Sequence, residues 1–178
     1  MGTLKKYLGA FAIEAANLTY LNNDAPMATT TVFNYKDTGG NTKNTVYFGF
    51  QGSYGASVQR AARDYTFKDM IPIATNDALN DFAVDDYAIT AVGTTTYSTN
   101  RTLTATTATL TYSVNVANNT GADITINCIK FKKQMANNVG SSQTFYDLLC
   151  YGYFLDEPIT IPNGDSQSIA IAFEIKVQ

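Results

Sequence analysis

The feature that most constrains this chain is its last strand, where Ile169, Ile171, Phe173, Ile175 and Val177 alternate with Ala170, Ala172, Glu174 and Lys176. A strict period of two puts the first set on one face of a β-strand and the second on the other, so one face is expected to be buried and the other solvated. Pro162-Asn163-Gly164-Asp165-Ser166 precedes it as a dense turn signal, and Ile159 with Ile161 marks a strand entering that turn. The two strands read as a C-terminal hairpin. Leu110, Tyr112, Val114 and Val116 alternate in the same way, and Asn118-Asn119-Thr120-Gly121-Ala122-Asp123 turns the chain into Ile124, Ile126 and Cys128. This reads as a second hairpin. The apolar parity then switches to Ile129 and Phe131, which predicts a bulge or a change of environment at that point. Lys130, Lys132 and Lys133 read as a solvated strand edge that discourages wrong pairing.

The stretch 148–155 is apolar on both parities, through Leu149, Tyr151, Tyr153 and Phe154, so it is expected to be a central or covered strand. Strands at 107–116, 124–131, 148–155, 158–161 and 169–177 are enough for a sandwich. Towards the N-terminus, 30–35 and 45–50 flank Lys36-Asp37-Thr38-Gly39-Gly40-Asn41 as a hairpin with a long loop. Residues 52–57 read as loop, 58–64 as one helical turn at most, and 76–88 as an exposed acidic connection. The expected fold is all-β, an antiparallel Greek-key β-sandwich of Ig-like or jelly-roll-like type with an extended N-terminal segment. Residues 1–25 would form an arm or short helix and 26–178 the sandwich domain, with 26–75 as a candidate sub-lobe.

Composition agrees with this reading. The 178 residues include 12 Tyr, 10 Phe and 25 Thr, types that suit a pleated, half-buried surface. A net charge of -3 supplies no basic field for nucleic acid or anionic lipid, so neither is an expected partner. Charged residues are only 15% of the chain, which leaves a Thr, Asn, Ser and Gln surface that tolerates close neighbours. No segment reaches the roughly 20 apolar residues that span a bilayer. Lys5 and Lys6 before Leu8 echo a signal peptide, but Glu14 interrupts the apolar run, so synthesis in the cytoplasm without a cleaved signal is expected. The sequons at Asn17, Asn100 and Asn118 read as chance in so Asn- and Thr-rich a chain.

The chain has no His, the commonest general base and transition-metal ligand, and it lacks both the dinucleotide and the phosphate-loop glycine patterns. Accordingly no catalytic, cofactor-binding or metal-ligating residue is assigned, no cofactor is expected, and the chain reads as non-enzymatic. Three weaker candidates stay open. Asp77, Asp81, Asp85 and Asp86 carry carboxylates on a loop but lack the central Gly and closing Glu of an EF-hand. Asp147, Asp156 and Glu157 are carboxylates of the type that cleave glycosides in pairs, with nothing to single one out. Tyr47, Phe48, Phe50, Tyr151 and Tyr153 suit sugar stacking, although alternating aromatics in strands are more often core. Cys128 and Cys150 read as free buried thiols, a disulfide between neighbouring strands being the alternative.

The order of these features resembles a known family. An acidic loop runs into Asp85-Asp86-Tyr87-Ala88-Ile89, followed by the strand with Leu110, Tyr112, Val114 and Val116, then Asn118-Asn119-Thr120-Gly121 and Ile124-Thr125-Ile126. Leu148-Leu149, Asp156-Glu157-Pro158-Ile159-Thr160-Ile161, Gly164-Asp165-Ser166 and the alternating last strand complete it. Over roughly residues 70 to 178 this layout resembles small β-sandwich virion structural proteins of tailed bacteriophages. The resemblance implies a virion component made in the host cytoplasm and present in many copies, in the head–tail neck, a tail ring or on the capsid. Its implied partners are other copies of itself and neighbouring portal, tail or capsid proteins. The alternative reading is a carbohydrate-binding or host-surface adhesin module that contacts a host glycan through loops at 52–57 and 139–143. A glycan depolymerase is the third.

Overall fold

Alternating strands need a second apolar surface to bury their inward faces, and here the chain supplies two sheets that face each other. The computed structural model describes residues 2–7, 10, 29–31, 35–36, 42–43, 46–48, 70–79, 89–139 and 142–176. Its strands are β1 (Thr3–Lys6), β2 (Thr29–Thr31), β3 (Tyr35–Lys36), β4 (Thr42–Lys43), β5 (Val46–Phe48), β6 (Ile71–Thr75), β7 (Thr94–Leu103), β8 (Thr107–Ala117), β9 (Ile124–Val139), β10 (Ser142–Ile161) and β11 (Ser166–Lys176). One sheet has the order β1-β10-β9-β6 and the other β11-β8-β7; β2 with β5 and β3 with β4 form two short ribbons. Every pairing is antiparallel. The described chain is an all-β protein built as a sandwich of two antiparallel sheets, as the alternation predicts.

The core lies between the sheets. Tyr112, Val114, Val116 and Ile171 come from the three-stranded sheet, and Ile126, Ile129, Phe131, Tyr151 and Ile161 from the four-stranded one. Packed against this core, the Phe173 ring meets Tyr112 at 5.9 Å, Phe131 at 5.3 Å and Tyr151 at 5.7 Å between centroids, and Tyr112 meets Phe131 at 5.1 Å. Pairs of this kind add about 1 kcal/mol each to the area they bury. The same alternation keeps Ser113, Ala170 and Ala172 on the exposed side.

Both expected hairpins are corrected. β8 pairs with β11 and β7, not with β9, and β10 pairs with β9 and β1, not with β11. The turns at 118–123 and 162–165 therefore cross from one sheet to the other. Turn chemistry specifies that the chain reverses but not which strand it then meets. Here the two reversals bond to each other instead. The Asn118 side chain is buried, and its Nδ2 donates to the carbonyls of Ala122 and Ile161, both at 2.8 Å. Its Oδ1 accepts from the Thr120 amide at 3.1 Å and hydroxyl at 2.8 Å, so all four of its bonding positions are used. The Asn118 amide donates to the Asp165 carbonyl at 2.9 Å, and the Gly164 amide donates to the Asn118 carbonyl at 2.8 Å. Asn163 Oδ1 accepts from the Gly121 amide at 2.9 Å, while the Asn163 amide donates to Asp123 Oδ1 at 3.1 Å. Gly121 and Gly164 take φ of 91° and 90°, the left-handed region that glycine enters without steric cost.

The lysine reading is corrected as well. β9 lies between β10 and β6, so Lys130, Lys132 and Lys133 sit in the interior of a sheet, and Lys130 and Lys133 are buried. Lys130 Nζ lies 3.0 Å from Asp77 Oδ2, and Lys132 Nζ lies 2.6 Å from Asp147 Oδ2. Desolvating an ammonium costs several kcal/mol unless it is paired, and Asp77 supplies the pairing for Lys130 just after β6. Thr75, Cys128, Lys130, Leu149, Gly152 and Phe154 are buried together with the core residues on the opposite parity, so the middle of this sheet is covered on both faces. That accounts for the apolar run at 148–155, which is a central strand as expected. The parity switch after Cys128 has its irregularity in the neighbouring strand: β10 pairs Phe154 with Cys128 and next Ile159 with Ile126, looping out 155–158.

Replacing Asn118 with Ala takes the side-chain donor from the buried Ile161 carbonyl, while Thr120 Oγ1 at 3.0 Å still serves the exposed Ala122 carbonyl. The expected loss is about 1 to 3 kcal/mol in urea-unfolding free energy, the cost of one unsatisfied buried group. Asp77→Ala, which removes the carboxylate 3.0 Å from the buried Lys130 ammonium, is expected to lower the same free energy by about 2–3 kcal/mol, and the double variant Lys130→Met, Asp77→Ala, which removes the pair together, to lower it by less.

Candidate functional site

The site is set by a tight hairpin. The Thr104 amide donates to the Thr107 carbonyl at 2.8 Å, and Thr104 Oγ1 accepts from the amides of Thr107 at 2.9 Å and Thr106 at 3.3 Å. This closes β7 onto β8 and aligns Leu103 with Ala108 and Arg101 with Leu110. On the other side of β8, Ile175 aligns with Ala108 and Phe173 with Leu110. Two rows result across the inward face of the sheet, Leu103–Ala108–Ile175 and Arg101–Leu110–Phe173.

The second row packs on the core and the first does not. Leu110 and Phe173 are partly buried against the core cluster, while Leu103 is 80% and Ile175 64% exposed. The alternation of β11 predicts an inward face buried along its whole length; burial in fact stops after Phe173, because the opposing sheet does not cover this end. The uncovered end is a cavity of about 490 Å³, with Leu103, Leu110, Phe173 and Ile175 contributed by one sheet and Leu4 and Tyr151 by the other. Lys6, Arg101 and Glu174 also line it. Glu174 Oε1 lies 2.9 Å from Lys176 Nζ, a hydrogen bond that raises the lysine's pKa above its ordinary value. Apolar contact and charge pairing are what this lining offers.

The outward face of the same sheet is of a different character. Thr94, Thr96, Ser98, Asn100 and Thr102 of β7, Thr109, Thr111, Ser113, Asn115 and Ala117 of β8, and Ser166, Ser168, Ala170 and Ala172 of β11 form a field of small uncharged side chains. Glu174 and Lys176 are the charges at its end.

The residues singled out from sequence are dispersed. Asp77 and Asp147 are ion-paired to lysines of β9, and Asp156 and Glu157 are exposed where β10 loops out of register. Asp81, Asp85, Asp86, Phe50 and the 52–57 loop lie outside the described residues, as do residues 140–141 of the second loop and the side chains of Tyr47 and Phe48. Tyr151 is part of the aromatic core, and the Tyr153 hydroxyl accepts a 2.9 Å hydrogen bond from the Gly2 amide. Among the described residues no three His, Cys, Asp or Glu side chains gather as a metal site, and no helix is long and apolar enough to cross a membrane. The sequence reading missed β7 altogether. Its signal was Thr-rich β-propensity around Tyr97, without the apolar alternation that marks a strand whose inner face is fully covered.

Cys128 and Cys150 are both free and buried. Burial pushes the Cys150 thiol up to about 12 against the opposing pull of the Lys133 charge and backbone. As pH rises past a free thiol's ordinary pKa of 9.0, the unfolded chain ionises this thiol first, so stability falls between pH 9.0 and about 12. Urea melts across that window are expected to decline more steeply for the parent chain than for Cys150→Ala. Near neutral pH a thiol-exchange reagent should label neither cysteine until the chain is unfolded. Comparison with protein-family models, with curated proteins and with solved structures returned no match.

Proposed function

We propose that this chain is a non-enzymatic structural component of a tailed-phage virion, assembling in many copies in the head–tail neck, a tail ring or on the capsid. The observation that carries the assembly half of this reading is the three-stranded sheet. Its outermost strands β7 and β11 pair only with β8 among the described residues, which leaves each with an open outer edge, and its exposed Leu103 and Ile175 mark the cavity end. Soluble proteins usually protect such edges with lysine, proline or short strands; β7 runs for 10 residues as Thr-Thr-Thr-Tyr-Ser-Thr-Asn-Arg-Thr-Leu, with one charge and neither Lys nor Pro. The virion half rests on the ordered motifs from Asp85 to Val177 and their resemblance to phage β-sandwich proteins. The mechanism is geometric: edges and faces bury surface against rotated neighbours, and heterologous contacts close into a ring.

Particles of the phage or prophage that encodes the chain are expected to contain it in many copies, seen by mass spectrometry of purified virions and by electron microscopy as a ring or as capsid-bound density. A chain that stays monomeric at all concentrations and is missing from the particles overturns the proposal. A specific hit on a glycan array from such a monomer would instead establish the adhesin reading.

A further inference from the structure

Resting on the multi-copy reading above, we infer the contact itself: β7 of one copy lies parallel to β11 of the next, so that the three-stranded sheet continues from copy to copy. Both outer strands are antiparallel to β8, so they run in the same direction. A neighbour related by rotation about an axis along the strands therefore brings its β11 up to β7 in parallel. The two edges match in length, at 10 and 11 residues.

The backbone has the right phase for this contact. The Thr104–Thr107 hydrogen bond marks a bonded pair, and bonded and non-bonded pairs alternate along an antiparallel ladder. Thr102, Asn100 and Ser98 thus bond to β8, while the amides and carbonyls of Tyr97, Thr99, Arg101 and Leu103 point to the open edge. On β8 the groups left for β11 are those of Ala108, Leu110, Tyr112 and Val114, which engage Ile175, Phe173, Ile171 and Ile169. The open edge of β11 is then served by Ser168, Ala170, Ala172 and Glu174. In a parallel pair each residue bonds to the two partner residues that flank its neighbour. Thr99 of one copy would bond to residues 170 and 172 of the next and sit beside Ile171, both side chains on the inward face. An antiparallel β7–β11 contact would instead turn the apolar face of one copy against the polar face of its neighbour.

The side chains agree at zero stagger. Leu103 and Ile175, the two most exposed large hydrophobic residues among those described, share the Ala108 row and so become neighbours across the contact. Arg101 comes beside Phe173, a cation facing an aromatic ring, and Tyr97 beside Ile169. On the outer face Thr102 meets Glu174, Asn100 meets Ala172 and Ser98 meets Ala170, so no like charges are opposed. An antiparallel contact of β7 with itself would stop at a dimer and leave Ile175 uncovered.

The Leu103→Cys, Ile175→Cys double variant tests this. Within one copy the two positions are two strands apart, about 9–10 Å, beyond the roughly 7 Å that a disulfide can bridge, and the native thiols are buried. Mild oxidation is expected to yield a ladder of covalent dimers, trimers and larger species on a non-reducing denaturing gel, with none from either single variant. A dimer from Leu103→Cys alone, or no ladder from a chain that light scattering shows to be oligomeric, overturns the contact and leaves the multi-copy reading standing. A parent chain that is monomeric throughout and absent from particles removes both. In a second test, Leu103→Lys is expected to weaken self-association at least about tenfold with an unchanged circular dichroism spectrum, and mixing it with Ile175→Glu to restore assembly, since each variant then offers the other an acceptable edge. Failure of that rescue, with both variants folded, counts against the contact.

Discussion

The sandwich depends on the carboxamide of Asn118. Its four hydrogen bonds, with the backbone bonds on either side, lock the reversal after β8 to the reversal after β10. Each reversal carries the chain between sheets, so their union fixes where β9 and β10 lie over β8 and β11. In a buried position an unsatisfied amide is costly, and Asn118 is satisfied only when both reversals are in place. That turns two local signals into one statement about the tertiary fold. Held in this way, the sheets bring Tyr112, Phe131, Tyr151 and Phe173 into one aromatic cluster.

The two sheets are used differently. The four-stranded sheet is buried on both faces through the middle of β9 and β10 and includes a lysine, Lys130, that is 1% exposed and bound to Asp77. Its contribution is internal. The three-stranded sheet has one face partly covered by the core, one field of small hydroxyl and amide groups, two edges with no further strand among the described residues and an apolar end that the other sheet does not reach. A surface with few charges has little electrostatic repulsion to overcome when another copy approaches, and exposed edge groups offer it backbone bonds. The features on which the proposed assembly rests are thus concentrated on one side of the sandwich.

How much of this could be read beforehand differs element by element. The strands of β8 and β11 were legible because each buries one face and solvates the other, which imposes the period of two directly on the sequence. β10 was legible as central because both its parities are apolar. The lysines of β9 were misread, since a charge every second residue looks alike on an exposed edge and on a buried face whose counter-ion is far away in the chain. β7 escaped notice for a related reason: its inner face is largely exposed, so little hydrophobic pattern was imposed on it. The cavity end was illegible, because Ile175 belongs to the apolar parity of β11, Leu103 lies in a strand that has none, and only the reach of the opposing sheet leaves both exposed.

Period, propensity and turn chemistry act over a few residues, and they are enough to make this chain a β protein, to place most of its C-terminal strands and turns, and to set which residues of β8 and β11 face inward. Long-range packing is what carries the turns between sheets, makes Lys130 an interior residue paired to Asp77, and leaves two edges and one apolar end open among the described residues. Those outcomes depend on contacts between residues tens of positions apart, and no local pattern encodes which distant partner a strand, a charge or a carboxamide will meet.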